Sequence, residues 1–560
     1  MGLTVGPLDR DQNTSREFFG DSSTVAFIQQ LQQSIPPTIT GPRSGHEAPC
    51  RSIDLHNYDR HPKLSTEPSP SVELLPPRPL ADHLVDCYFS KIHTLYPFVH
   101  KDAFFSAYRS LWVPAESSRS TNTVHGLGIG DITVNHTTFH CALNAIFALG
   151  CQFSNVVQTQ RETTSEAFYR RCKPVLDLEF LEGGDLAVCQ TLLLITHYLQ
   201  CSRTPSRCWH VIGMACRLAQ ALGLHSDLGN ERRSFAEIQL RRRVWHGCVM
   251  LDLTILGRPA MIAQKPVTPL PEAIDDCYLS AGAPTCKQPP RVLSRVTWFI
   301  ETLKLYDTLR KILKSLYDNA GPTEAGNHMP AGNTRQIQNI IEIDADLENF
   351  KTKLPEALMW DHEVLRDGPD NFQREKCLLR ASNATLCSES NDSTHQAPLH
   401  SRVNLDCSIY CVNAAIDLIS LAFIDAFTAG SVILLAGLSQ SLVNNVTQEA
   451  LQQSWQKCQS ALSKLGLYSS TAERCAENLR TIKERCSITF PHSAMSTTNI
   501  LSQEQPSANQ FPTFEQLDND GNDDLVSEGT DYLPLTDDLF HDLDFNEDTF
   551  FDPFWFSLQF

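Results

Sequence analysis

The sequence predicts an all-α protein. Apolar residues recur at helical spacing in one segment after another, cap and stop residues bracket those segments, and no stretch alternates apolar and polar residues as a half-buried strand would. The chain has 560 residues and a net charge of −19, from 65 acidic and 46 basic side chains. That charge is uneven: Phe511–Phe560 holds 14 acids and neither Lys nor Arg, so the rest of the chain is nearly balanced. A balanced body gives no overall basic character to point to nucleic acid. The 19 cysteines are scattered through apolar segments, as at Cys141, Cys151, Cys189, Cys216 and Cys248, and no apolar leader stands near Met1. They read as reduced, buried thiols of an intracellular protein. The most apolar run, Ile416 to Leu438, contains Asp417 and Asp425. Acids at mid-membrane depth are costly, so this run is expected to be a buried helix pair, with no membrane partner.

In order, residues 1–79 are expected to be mostly disordered, with one short helix near 22–34. Ten prolines between Pro36 and Pro79 make an extended linker. A first helical unit is expected over 80–360. Leu84, Cys87, Tyr88, Ile92 and Leu95 form its opening stripe, which Pro97 ends. Asp102 then caps a helix carrying Phe105, Tyr108 and Leu111. Val113 to Thr138 is a polar, glycine-containing loop, and Gly126, Gly128 and Gly130 lack the strand before and the Lys-Ser/Thr after that a phosphate loop needs. Helices follow near Phe139–Phe153, Ser165–Leu178 and, capped by Asp185, up to Leu199.

Thr204-Pro205 opens the next helix, with Val211, Ile212, Ala215, Leu218, Ala219 and Leu222 on one face. Gly223 sits where a left-handed residue stops it and Leu224 can fold back on the last turn. Ser234 and Glu237 have capping-box spacing before a second stripe of Leu240, Val244, Cys248, Leu251 and Ile255, which Gly257-Arg258-Pro259 closes. Lys265 to Pro290 is irregular, and further helices are expected at Arg291–Tyr317 and Arg335–Leu354. A polar linker over 361–402, more helices over 403–486 and a disordered tail over 487–560 complete the chain.

The stretches WHVIGMACRLAQALGLH and RRRVWHGCVMLDLTILGRPAMI, in this order and close together, resemble the signature of the fungal-specific transcription factor domain. This is the middle homology region of fungal binuclear zinc-cluster regulators. The positions that carry the resemblance include Trp209, Gly213, Arg217, Gly223, Leu224, Arg243, Trp245, Asp252, Gly257, Arg258 and Pro259. YFSKIHTLYPFVHKDAFF resembles the usual opening of that domain. The resemblance implies an array of helical hairpins, a nuclear transcription regulator and no enzyme activity. It also implies a homo- or heterodimer, and structural roles for Arg243 and Arg258, paired with acids such as Asp252. In the family the DNA reader is a six-cysteine cluster holding two zinc ions. This sequence contains no Cys-x-x-Cys, so no such zinc site and no other cofactor is expected in these residues. DNA contact would need a cluster upstream or a partner that carries one.

Two further features bear on function. Arg241, Arg242 and Arg243 make the densest basic patch, and three charges on a helix that must also bury a face read as a solvated or salt-bridging surface sooner than a DNA contact. The acidic tail interleaves its carboxylates with Phe540, Leu543, Phe545, Phe550, Phe551, Phe554, Trp555 and Phe556. Acids keep such a segment open while the aromatics supply anchors for a partner's groove, the composition of an activation segment that binds coactivators. The sequence holds no nucleophile elbow, zinc-protease pair, phosphate loop or dinucleotide fingerprint. The expected function is a transcription regulator of RNA polymerase II genes in a fungus, suited to a metabolic or secondary-metabolite pathway, with an all-α regulatory domain and an acidic activation tail. The alternative is a corepressor or scaffold without a DNA reader that binds a full-length zinc-cluster regulator.

Overall fold

Helices form where the apolar stripes place them, and their ends are set by side chains that take up the free backbone groups of the first and last turns. The computed structural model describes residues 75–112, 126–154, 161–177, 181–200, 205–254, 260–262, 265–280, 283, 285–317, 331–359, 426–438 and 446–466, with a few single positions near 379–412, 442 and 476–484. The chain divides into two units, and all of these residues belong to the one made of Met1–Phe490 with Phe551–Phe560. The second unit, Pro491–Phe550, lies outside the described residues, as do the short helix expected near 22–34 and the aromatic anchors of the tail.

The elements are α1 (Arg78–Lys91), α2 (Lys101–Ser110), α3 (His136–Phe153), α4 (Arg161–Arg171), α5 (Leu186–Gln200), α6 (Pro205–Ala221), α7 (Phe235–Thr254), α8 (Val296–Ile312), α9 (Ala331–Thr352), α10 (Ala426–Leu438) and α11 (Gln448–Gly466). Among the described residues there is no strand, and no helix is long and apolar enough to cross a membrane. α3 packs against α1, α4 and α5, α5 against α6 and α7, α6 against α7, α8 against α9, and α10 against α11. α3 is the hub: 14 of its 18 residues are buried, too many for a one-sided stripe, because helices cover it on several faces. α5 is its counterpart, buried at every position from Ala187 to Leu199. At Gly150 the backbone of α1 comes so near that a Cβ would lie 2.3 Å from the Leu84 carbonyl oxygen. Only glycine permits that approach.

Several boundaries differ from the sequence expectation for visible reasons. α2 is capped by His100, not Asp102: the His100 ring accepts from the Ala103 N–H at 3.3 Å and its other nitrogen meets the Leu279 carbonyl at 2.9 Å. α3 starts three residues earlier than the apolar stripe because Asn135 caps it, accepting from Thr137 N–H at 2.8 Å. α4 gives way after Arg171 to a short 3-10 turn, Lys173–Leu176, in which Pro174 lacks the N–H a continuing helix needs. The glycine loop before α3 is not simply solvent-facing: Leu127 and Ile129 are buried, and Gln190 ties it down by accepting from Ile129 N–H at 2.8 Å and donating to the Phe98 carbonyl at 2.6 Å.

Candidate functional site

The residues singled out by sequence converge on α6, α7 and the segment 265–280 that runs back over them. Pro205 occupies the first position of α6. At the far end Gly223 has φ +69° and nothing within 4 Å of its missing side chain, so glycine is required there by backbone conformation alone. Gly223 N–H donates to Gln220 O at 3.0 Å and Leu224 N–H to Ala219 O at 2.9 Å. These paired bonds of a Schellman stop turn Leu224 back into the core, where it is 2% exposed. Trp209 is half-buried, with its ring edge-on to His210, and a Cβ on Gly213 would reach 3.4 Å from the Met261 sulfur. Arg217 is exposed.

α7 begins as its capping residues dictate, with Ser234 accepting from Glu237 N–H at 3.1 Å. The Glu237 carboxylate does not close the capping box but takes Arg233 at 2.8 Å. Leu240, Val244, Cys248 and Leu251 are buried as the stripe requires, and Trp245 packs near the His225 ring at 5.9 Å. Ile255, Gly257, Arg258 and Pro259 lie outside the described residues.

The three arginines are spent inside the molecule. Arg241 donates to the Leu222 carbonyl at 2.8 Å, satisfying the end of α6. Arg242 grips Asp227 at 2.6 Å in the turn beyond. Arg243 is not part of a solvated face: it is wholly buried, and it donates to Asp276 at 2.6 Å and to the Ile274 carbonyl at 2.7 Å. The expected pairing of Arg243 with Asp252 is therefore corrected, because the guanidinium points to the 274–276 turn. Asp252 instead accepts from Ile262 N–H at 2.9 Å, while Arg310 of α8 donates to the Ile262 carbonyl at 2.7 Å.

Asp276 is the residue that sequence reasoning missed. Besides Arg243 it accepts from the Lys101 N–H at 2.8 Å and lies 3.4 Å from His93. It thus joins α7, the first turn of α2 and the turn after α1. Burial pushes its carboxyl up, but the Arg243 charge and then the hydrogen bond from His93 outweigh that and hold it well below the usual carboxylate range. His93 itself is lowered, chiefly by burial and in spite of Asp276, so it sits in the cluster as a neutral ring. Asp275 completes the turn, accepting from Ser294 Oγ at 2.7 Å and Arg295 N–H at 2.8 Å. The rest of the segment is stitched as closely: Thr268 Oγ1 donates to His225 O at 2.6 Å, His246 meets Pro269 O at 3.1 Å, and Gln239 exchanges two hydrogen bonds with Glu272.

Nothing in this arrangement prepares a chemical step among the described residues. Cys189 and Cys248 face each other at 4.0 Å in the core beneath α6, and Cys248 is raised well above the ordinary thiol value, first by its bonds to neighbouring thiols and then by burial. Burial likewise pushes Cys141 and Cys151 up to about 12. Thiols held protonated in this way are poor nucleophiles. His197, stacked on Phe98 and tilted against Tyr96, is lowered by burial to about 3 and stays neutral. The geometry describes a helix pair locked to a return segment, with its charges consumed by the locking.

Comparison with known proteins agrees with that geometry. Residues 85–352 match the fungal specific transcription factor domain, a span that includes α6, α7 and the return segment. The chain is 30% identical over 208 residues to the lactose regulatory protein LAC9 of Kluyveromyces lactis, covering 37% of this chain and 20% of that one. It is 27% identical over 252 residues to the sorbicillinoid biosynthetic cluster transcription factor 2 of Penicillium rubens, covering 44% and 34%. It is 22% identical over 392 residues to the activatory protein CHA4 of Saccharomyces cerevisiae, covering 66% and 55%. The chain thus spans between a fifth and about half of the length of these relatives. No solved structure gives a significant match. Residues 85–352 of the chain thus form a fungal specific transcription factor domain, and the relatives the chain is similar to are fungal transcription regulators.

Proposed function

We propose that the chain regulates transcription by RNA polymerase II in a fungal nucleus, with the helical body as its regulatory domain and the acidic-aromatic tail as an activation segment. The match of residues 85–352 to the fungal specific transcription factor domain carries this reading. The relatives add direction: one is named a lactose regulatory protein and another a sorbicillinoid biosynthetic cluster transcription factor, so a metabolic or secondary-metabolite pathway is the fitting target class. The arginines of α7 are engaged within the fold, which favours DNA contact through a zinc cluster elsewhere or through a partner rather than through this helix.

The tail supports activation by composition: 14 acids with no base, interleaved with large aromatics, suit a coactivator groove that is apolar and rimmed by cations. Phe511–Phe560 fused to a heterologous DNA-binding domain is expected to activate a reporter. Replacing Phe550, Phe551, Phe554, Trp555 and Phe556 by Ala in that fusion is expected to abolish most of the signal. An expressed, nuclear fusion no more active than the DNA-binding domain alone would contradict the tail's role and favour a scaffold that titrates a full-length regulator.

A further inference from the structure

Three side chains from different parts of the fold gather around Asp276. Arg243 reaches it from α7 at 2.6 Å, and His93, in the turn after α1, lies 3.4 Å from it. Tyr88 stands in the last turn of α1, with its ring centroid 6.1 Å from that of His93. Burial first, and the charge of Asp276 second, hold the phenol proton of Tyr88 in place. Tyr88 and Arg243 are 0% exposed and His93 is 8% exposed.

Each of the three keeps one buried polar atom with no hydrogen-bond partner among the described residues: Tyr88 Oη, His93 Nδ1 and Arg243 Nε. Native interiors hold few such atoms, because each forfeits its hydration without replacement. Two of them are fixed beside the carboxylate, since they belong to the same planar groups whose other nitrogens face Asp276. The atoms also differ in kind. With its Nε2 hydrogen turned to Asp276, neutral His93 presents Nδ1 as an acceptor. Arg243 Nε is a donor only, and the Tyr88 hydroxyl donates as well. The set calls for a molecule that accepts two hydrogen bonds and donates one. A halide cannot donate and ammonium cannot accept. Water does both, and an internal water makes about three hydrogen bonds.

We propose that Tyr88 Oη, His93 Nδ1 and Arg243 Nε form a site for internal water in the Asp276 cluster. Water held there accepts from the Tyr88 hydroxyl and from Arg243 Nε and donates to His93 Nδ1. It ties the last turn of α1 to α7 through solvent, in addition to the ion pair between Arg243 and Asp276. The site is independent of the regulatory reading of the chain, since it rests on side-chain chemistry alone.

The test is urea unfolding of the full chain at pH 7 for the wild type and Tyr88→Phe, which removes one oxygen and keeps the ring. From a dry site the substitution relieves a stranded hydroxyl, so stability stays the same or rises. From a hydrated site it removes a hydrogen bond, and the unfolding constant is expected to rise about two- to twelve-fold. Deuteron relaxation dispersion of the solvent, which reports water held inside for longer than the chain takes to tumble, gives a second readout. Its amplitude is expected to fall in Tyr88→Phe. It stays unchanged in Tyr108→Phe, whose hydroxyl already donates to Asp82 at 2.6 Å. A Tyr88→Phe chain at least as stable as the wild type, or one with undiminished dispersion, would overturn the proposal.

Discussion

Arg243 and Asp252 lie on opposite halves of α7, and each fixes part of the segment that follows the helix, yet by opposite electrostatic means. Arg243 faces Asp276, a buried ion pair in which the carboxyl is held well below its ordinary range. Asp252 faces backbone: burial raises its carboxyl, which the Ile262 and Met261 N–H groups and the charge of Arg310 only partly offset. One half depends on a charge that must stay paired, the other on an acceptor for which charge is a burden. Removing one partner of a buried pair strands the other, whereas removing the charge from a hydrogen-bonded acceptor leaves the bond.

The largest effect is therefore expected at Arg243. Arg243→Met leaves Asp276 buried with only a neutral His93 and a backbone N–H beside it, and should cost about 3–5 kcal/mol of stability in denaturant unfolding. The same pair sets an acid limit. Because the folded-state value of Asp276 is depressed below 3.8, its contribution is present above that value and is lost as pH falls through the folded-state value.

Next comes His197. Its value falls from 6.5 unfolded to about 3 folded, so the unfolded chain binds the extra proton between those limits. Stability should then decline as pH drops from 6.5 to about 3, by on the order of a few kcal/mol from this residue. His197→Phe, which keeps an aromatic ring against Tyr96 and Phe98, is expected to flatten that part of the pH–stability curve. A smaller loss, about 1 kcal/mol, is expected for Gly223→Ala, since φ +69° strains any side chain although space is open around it.

The smallest effect is expected at the other half of α7. A carboxyl raised on folding contributes stability that is present below its unfolded value and lost as pH rises through its folded one, so at neutral pH the Asp252 charge brings no gain. Asp252→Asn keeps an oxygen for the Ile262 N–H and should change stability by less than about 1 kcal/mol at pH 7. A loss as large as that of Arg243→Met would erase the contrast between the two halves.

The helices and their signature were legible in the sequence because period, caps and stops are local. Ser234, Asp185, Gly223 and Leu224 act in the structure as neighbours a few residues away require. The partner of Arg243 was not legible, since Asp276 lies beyond α7 in a proline-rich stretch whose only sequence property is irregularity. Helical spacing could place Arg243 on the helix but could not show that its charge would be buried. His100 was overlooked as the α2 cap because its second hydrogen bond, to Leu279, comes from far along the chain. The tail, by contrast, is legible only as composition, and its role rests on the reporter assay.

The central claim is that the signature residues of this domain serve to lock a helix pair to its return segment. A double-mutant cycle on Arg243 and Asp276, with Arg243→Met, Asp276→Leu and the double variant compared by urea unfolding at pH 7, tests it most directly. The account predicts that the double variant loses little more than either single one, with a coupling of about 2 kcal/mol or more. Additive losses, or single variants as stable as the parent chain, would contradict it.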